Sequence, residues 1–248
     1  MPFDLSLGAA LWVAVACFTA AFVRGYCGFG FAALIVAGAG LVADPVLFVG
    51  VVLLSDAVLT AGQLRSIRAD IDWRRVGGLF AGAVLAVPVG VWAVTRMGED
   101  TARVVISLFI LAMCLALASG WRLERQQGLA AHGGVGVVSG LANGAAVGGL
   151  PVAAFFAAQT MSAAVFRATV ILYFTLLDLW TMPSLWLAGR ITGDTVLATA
   201  LLLPVMGLGV WLGSRRFLSA SPDGFRTFAI GLLALLALFG LTSGLGWV

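Results

Sequence analysis

The sequence predicts an all-α polytopic membrane protein made of two inverted-topology repeats of about five helical segments each. Its helices are broken at glycine-rich motifs, and eight to ten segments lie in the membrane. Three observations predict this. Hydrophobic residues make up 62% of the chain and charged residues only 10%, with a mean hydropathy of +1.10. A water-facing domain needs roughly 25% charged residues to cover its surface, so this surface faces lipid. The second observation is the stretch Arg24-Gly25-Tyr26-Cys27-Gly28-Phe29-Gly30-Phe31, which interrupts two hydrophobic runs. It has an echo 119 residues later in Asn143-Gly144-Ala145-Ala146-Val147-Gly148-Gly149-Leu150-Pro151, with Gly25 over Gly144 and Gly30 over Gly149. Third, Val89-Gly90-Val91-Trp92 falls on Leu208-Gly209-Val210-Trp211 at the same offset. Chance alignments between apolar segments drift in register, so two matches at one offset argue for duplication.

A bilayer core about 30 Å thick takes roughly 20 apolar residues of helix. Spans are expected near residues 6–23, 27–43, 46–64, 75–95 and 102–120, which form a first repeat over residues 1–121. Met1 to Leu7 carries Asp4 and no Arg or Lys ahead of the apolar run, so no secretory signal is expected and the first segment stays as a membrane helix. The polar interval 122–131 links the repeats. The second repeat, residues 132–248, has segments near 132–143, 146–159, 164–188, 194–213 and 225–244. Its first two segments are too short to cross as straight helices. They read either as half-helices meeting at Asn143-Gly144 or as a tilted, broken pair.

Five segments is an odd number, so the second half should enter the membrane upside down relative to the first. Arginine placement agrees. The loop from Arg65 to Arg75 carries four arginines (Arg65, Arg68, Arg74 and Arg75), whereas its counterpart near residue 190 carries Arg190 alone. The positive-inside rule therefore puts the first loop in the cytoplasm and the second outside. Arg96 to Arg103, balanced by Glu99 and Asp100, falls outside. The linker with Arg122 and Arg125, and the interval with Arg215, Arg216 and Arg226, fall inside, and both termini fall on the outer side. A net charge of +3 with arginines between apolar runs suits membrane orientation and not nucleic-acid binding. Cys17, Cys27 and Cys114 show no CxxC spacing and His132 is the sole histidine, so neither a metal site nor a cofactor is expected. Without GxSxG or HExxH the chain does not read as an enzyme.

Gly25, Gly28 and Gly30 release the backbone from helical geometry, and the freed N–H and C=O groups must face protein or a wet cavity. Matched interruptions in two inverted repeats point to a transporter site at the repeat interface. Half-helix N-termini there favour an anion. The candidate substrate-binding residues are Arg24, Gly25, Gly28, Gly30, Asn143, Gly144, Gly148, Gly149, Arg167, Ser55 and Thr175, with neutral hydrogen bonds available from Tyr173, Gln63 and Gln159. Close helix packing is the alternative role for any glycine. Ionisable groups inside spans are costly, which singles out Arg24, Asp56, Arg167 and Asp178. Asp56 maps onto Thr175, one turn from Asp178, so the two acids occupy related places and are the candidate proton-coupling residues. The alternatives are a static Arg24–Asp56 pair that fixes the repeats together and an Arg167 that snorkels to the interface. Trp12, Trp73, Trp121 and Trp186 lie near span ends, as interfacial aromatics do.

These residues resemble the TauE/SafE sulfite-exporter permeases, also called the toluenesulfonate uptake permease family. In that family each of two related halves opens with a glycine-rich break and then a proline. Gly148-Gly149-Leu150-Pro151 looks like the second-half version and Gly25-Tyr26-Cys27-Gly28-Phe29-Gly30 like the first. Arg167-Ala168 fits the family layout, while Thr169-Val170 and Leu54-Ser55-Asp56 depart from it. The resemblance implies a bacterial inner-membrane permease, of the export type, for small organosulfur anions such as sulfite or sulfonates. Residue chemistry by itself supports an anion carrier working by alternating access, with protons as a candidate coupling ion. An anion channel, a carboxylate permease of the same fold, and a non-transporting assembly or sensor protein are the other readings. Expected partners are the small anion, protons and the lipid bilayer, with the chain acting as a monomer or homodimer.

Overall fold

A computed structural model describes residues 2–123 and 127–217 continuously and most positions from 230 to 245. Among the described residues there are nine helices of nine residues or more and no strand: α1 (Leu7–Cys27), α2 (Phe31–Ala39), α3 (Leu47–Ile67), α4 (Trp73–Thr95), α5 (Glu99–Ala118), α6 (Leu129–Asn143), α7 (Gly149–Ala157), α8 (Ala163–Leu187) and α9 (Gly193–Phe217). The expected last span, near 225–244, lies partly outside the described residues, as do Arg125 in the linker and Arg226; the described positions between 230 and 244 are helical.

Local chemistry sets the helix ends. Ser6, Asp72 and Ser162 accept hydrogen bonds from the backbone N–H of Ala9, Arg75 and Val165, which caps α1, α4 and α8. Glu99 and Asp100 place negative charge in the first turn of α5, where the helix dipole favours it. Among the described residues six helices (α1, α3, α4, α5, α8 and α9) are long and apolar enough to cross a membrane. By contrast α2 and α7 have nine residues each, a rise of about 14 Å, or half a bilayer core. Both halves therefore contain a short second helix, where the sequence marked only the second half's pair as too short.

Hydrogen bonds sort the helix ends into two sets. On one face Phe3 N–H donates to Asp194, Arg190 to the Thr95 carbonyl and Arg103 to the Gly40 carbonyl. On the other, Asp72 N–H donates to Thr169 and Leu123 N–H to the Ala158 carbonyl. The α1–α2 pair thus starts and ends on the first face, and α6–α7 starts and ends on the second. Arg65, Arg68, Arg74 and Arg75 belong to the second face.

The tightest packing is crossed between the halves, α1 on α9 and α4 on α6, and glycines make it so. A Cβ on Gly82, Gly90 or Gly136 would run into the carbonyl oxygen of Gly133, Leu141 or Leu79, and one on Gly213 into that of Phe22. Helices approach this closely only where a side chain is missing. Gly136→Ala is expected to lower stability by about 1–3 kcal/mol, because backbone cannot yield to the added methyl. Gly134→Ala, where the methyl meets nothing within 4 Å, should gain a few tenths of a kcal/mol to about 1 from helix propensity. Thermal unfolding of the two variants in detergent checks this, and equal midpoints would rule out close packing as the reason for Gly136.

Candidate functional site

The two breaks meet around one cavity. In the first, Gly28 and Gly30 adopt left-handed conformations, with φ of 83° and 86°. Gly28 caps α1 by donating its N–H to the Arg24 carbonyl. A side chain on Gly28 would also press on Arg167 of α8. In the second break the left-handed position falls on Ala146, with φ of 56°. Ser139 holds that turn by donating to the Gly148 carbonyl at 2.6 Å, and Tyr173 donates to Ser139 at 2.9 Å.

Gly25 lies in the last turn of α1, and its carbonyl accepts a hydrogen bond from Ser214 Oγ of α9 at 3.4 Å. Its lack of a side chain admits the Val210 carbonyl of α9, just as Gly144 admits the Gly90–Val91 peptide of α4.

Between the breaks lies a cavity of about 30 Å³, room for one or two waters. Arg24, Asp56, Asn143 and Asp178 line it, with Phe31 and Phe174 among its apolar walls. Its other lining includes Gly28, Gly30 and Gly149, so seven of the sequence-predicted residues converge here. The first residues of α2 and α7 also line it, and neither helix has a side-chain cap. Two positive helix ends therefore face one small space.

Arg24 is 2% exposed and fully engaged. Its Nε donates to Asp56 Oδ1 at 2.9 Å and its Nη1 to Gln63 Oε1 at 2.8 Å. Nη2 donates to Thr60, whose hydroxyl continues to Thr175, and Thr175 donates to Asp56 Oδ2 at 2.6 Å. The guanidinium also lies over the Phe31 ring, 5.5 Å from its centroid. In the second half Asn143 Nδ2 donates to Asp178 Oδ1 at 3.0 Å and to Thr181 at 2.9 Å. Each half therefore sends a donor from the end of its first helix to an aspartate on its third. The halves differ in charge. Asp56 has a guanidinium partner, whereas among the described residues no cation lies within 4 Å of Asp178.

The remaining candidates lie elsewhere. Ser55 is buried in the core, and its hydroxyl has no hydrogen-bond partner among the described residues. Gly148 packs on the Ser139 carbonyl. Thr175 is one shell out, touching Asp56. Arg167 lines a second cavity of about 610 Å³ between α3, α8 and α9, on the arginine-rich face. There its Nη2 donates to Ser214 at 2.9 Å. Among the described residues no group of three His, Cys, Asp or Glu is placed to hold a metal ion.

Sequence reading missed Thr60, Thr181 and Ser214. Thr60 follows Asp56 by four residues and Thr181 follows Asp178 by three, spacings that put each hydroxyl on its acid's helix face. That signal was present in the sequence. Ser214 carries no such signal, because its role comes from α9 packing against α1 and α3.

A sequence model of the family described as "Sulfite exporter TauE/SafE" matches residues 13–240 of the chain. No curated protein and no solved structure matches it.

Proposed function

The chain belongs to the sulfite exporter TauE/SafE family, and from that membership we propose a secondary transporter of the bacterial inner membrane that moves small organosulfur anions such as sulfite or sulfonates. One observation carries the reading: both helix breaks, both uncapped helix N-termini and both donor–aspartate pairs converge on one buried cavity. Helix N-termini and a guanidinium offer an oxyanion the donors it needs. A cavity of about 30 Å³ is closed to such an anion, so binding requires the halves to part. The crossed packing of α1 on α9 and α4 on α6, and the return of each helix pair to its own face, support an inverted repeat with residues 1–121 and 132–248 as the rocking units. The four arginines of the 65–75 loop put that face in the cytoplasm.

Charge accounting supplies the coupling. Arg24 offsets Asp56 alone, so an ionised Asp178 leaves the cavity with a net negative charge that repels the substrate. A proton on Asp178 removes that charge. Anion and proton then occupy the cavity together and move the same way, and export runs down the anion's own gradient.

The test is thermal stabilisation of the purified protein by sulfite, sulfate, sulfoacetate, taurine, thiosulfate, acetate and chloride. A ligand at a hundredfold excess over its Kd raises stability by about 2.7 kcal/mol. Sulfite or a sulfonate is expected to give that shift and Arg24→Gln to remove it. Stabilisation by acetate alone would replace the substrate class, and no shift from any anion would remove the carrier reading.

A further inference from the structure

The 610 Å³ cavity between α3, α8 and α9 is not part of the central site, and one atom in it has an unusual position. Ser214 Oγ, on α9, accepts hydrogen bonds from Arg167 Nη2 of α8 at 2.9 Å and from Gln63 Nε2 of α3 at 3.2 Å. Donors from two other helices thus converge on a single hydroxyl oxygen. An oxyanion meets a guanidinium and an amide in this way: it roughly doubles the neutral amide's bond and adds a full ion pair to the guanidinium's. Gln63 also accepts from Arg24 Nη1, so a side chain that lines this cavity holds the arginine that lines the central one.

We propose that this vestibule is a second anion site, in series with the central cavity, in which the Ser214 hydroxyl stands where a substrate oxygen binds. The proposal rests on the permease reading above. An arriving oxyanion takes Arg167 and Gln63 away from Ser214. That exchange cuts the tie between α3 and α9 while Gln63 keeps its hold on Arg24. The vestibule walls narrow the ligand class. Val58, Leu59, Val210 and Trp211 are apolar, so a sulfonate carrying a short apolar substituent fits better than sulfate, whose every oxygen would need a donor. Gly62 and Gly207 leave the space open, since a Cβ on either would meet nothing within 4 Å. Asp70 is the one acid in the lining, and it is exposed at the rim, where salt screens its charge.

The experiment is calorimetric titration of the purified full chain with 1-propanesulfonate and with sulfate. Ser214→Ala removes the competing hydroxyl and is expected to bind 1-propanesulfonate roughly tenfold tighter than the wild type, the worth of about one hydrogen bond. Arg167→Gln should bind it at least tenfold more weakly, and sulfate should bind poorly throughout. A Ser214→Cys variant gives an independent reading: labelling by a water-soluble maleimide, above the wild-type background, should be slowed by 1-propanesulfonate. Unchanged affinity in Ser214→Ala together with unprotected labelling would overturn the proposal. Uptake of 1-propanesulfonate into wild-type proteoliposomes separates the two levels. Uptake with unaltered Ser214→Ala affinity rejects the vestibule and keeps the carrier, whereas neither uptake nor binding of any sulfonate rejects both.

Discussion

Arg24→Ala is expected to abolish anion transport and to lower stability by about 3–5 kcal/mol, the cost of leaving one member of a buried ion pair without its partner. Burial is near complete, at 2% exposure for Arg24 and 4% for Asp56, so water cannot solvate the carboxylate that remains. Three further groups depend on the same guanidinium: Thr60, Gln63 and the Phe31 ring at the start of α2. The loss should therefore spread through α3 to the first break. The Arg24→Ala/Asp56→Ala double variant tests whether the charge itself is responsible. It should regain a large part of the stability, because replacing both partners of a buried pair is often close to neutral. Transport should stay lost in the double variant, since the cavity still lacks its cation. Thermal unfolding and proteoliposome flux on the four corners of this cycle measure both effects. A double variant less stable than either single one would show that packing, and not charge, makes this site. A fully transporting Arg24→Ala would reduce the pair to a structural tie.

The sequence made the membrane class and most helices legible because lipid imposes one simple rule, a run of about twenty apolar residues. Where the chain departs from that rule, the reading went less far. Gly25 and Gly144 were matched through the repeat and read as site residues, yet in the structure each faces backbone of the opposite half. The other match at that offset explains why. Gly25 meets Val210 and Gly144 meets the Gly90–Val91 peptide, so the two echoed motifs are each other's contact surfaces, crossed between the halves. A register match reports shared packing as readily as shared chemistry, and only the third dimension separates them. Gly28 and Gly30 were legible as breaks because two glycines so close together readily leave helical geometry. Ala146 in the left-handed region was not, since alanine carries no such mark and the turn is held from outside by Ser139 and Tyr173. Arg24, Asp56, Arg167 and Asp178 were found by cost, since an ionisable group inside a span needs a partner, and Asn143 by its place at the matched break. Of their partners the sequence offered only the Arg24–Asp56 pair, as one of two readings, and the structure shows that pair; the Asn143–Asp178 bond had no mark in the sequence.

Asp178→Asn is therefore expected to uncouple the carrier while leaving it folded. The replacement keeps the shape of the side chain and one oxygen for Asn143 Nδ2, which also remains bonded to Thr181. With no cation of its own to lose, the site should change stability by less than about 1 kcal/mol, within the range of an isosteric change that keeps its hydrogen bond. The neutral amide also makes the cavity permanently free of net negative charge. Anion exchange, which returns the loaded carrier without releasing a proton, should continue in the variant. Net flux driven by a pH gradient should fall more than tenfold, because nothing in the cavity then takes up or releases a proton. Asp56→Asn should behave in the opposite way: it strips Arg24 of its counter-charge, so stability and both modes of transport are lost together. Counterflow and pH-jump assays on the two variants, side by side, test the contrast. If Asp178→Asn kept its response to a pH gradient, the proton would have to travel elsewhere and Asp178 would be a fixed partner of Asn143. If Asp56→Asn lost only the pH response and stayed stable, the coupling role would pass to the first half.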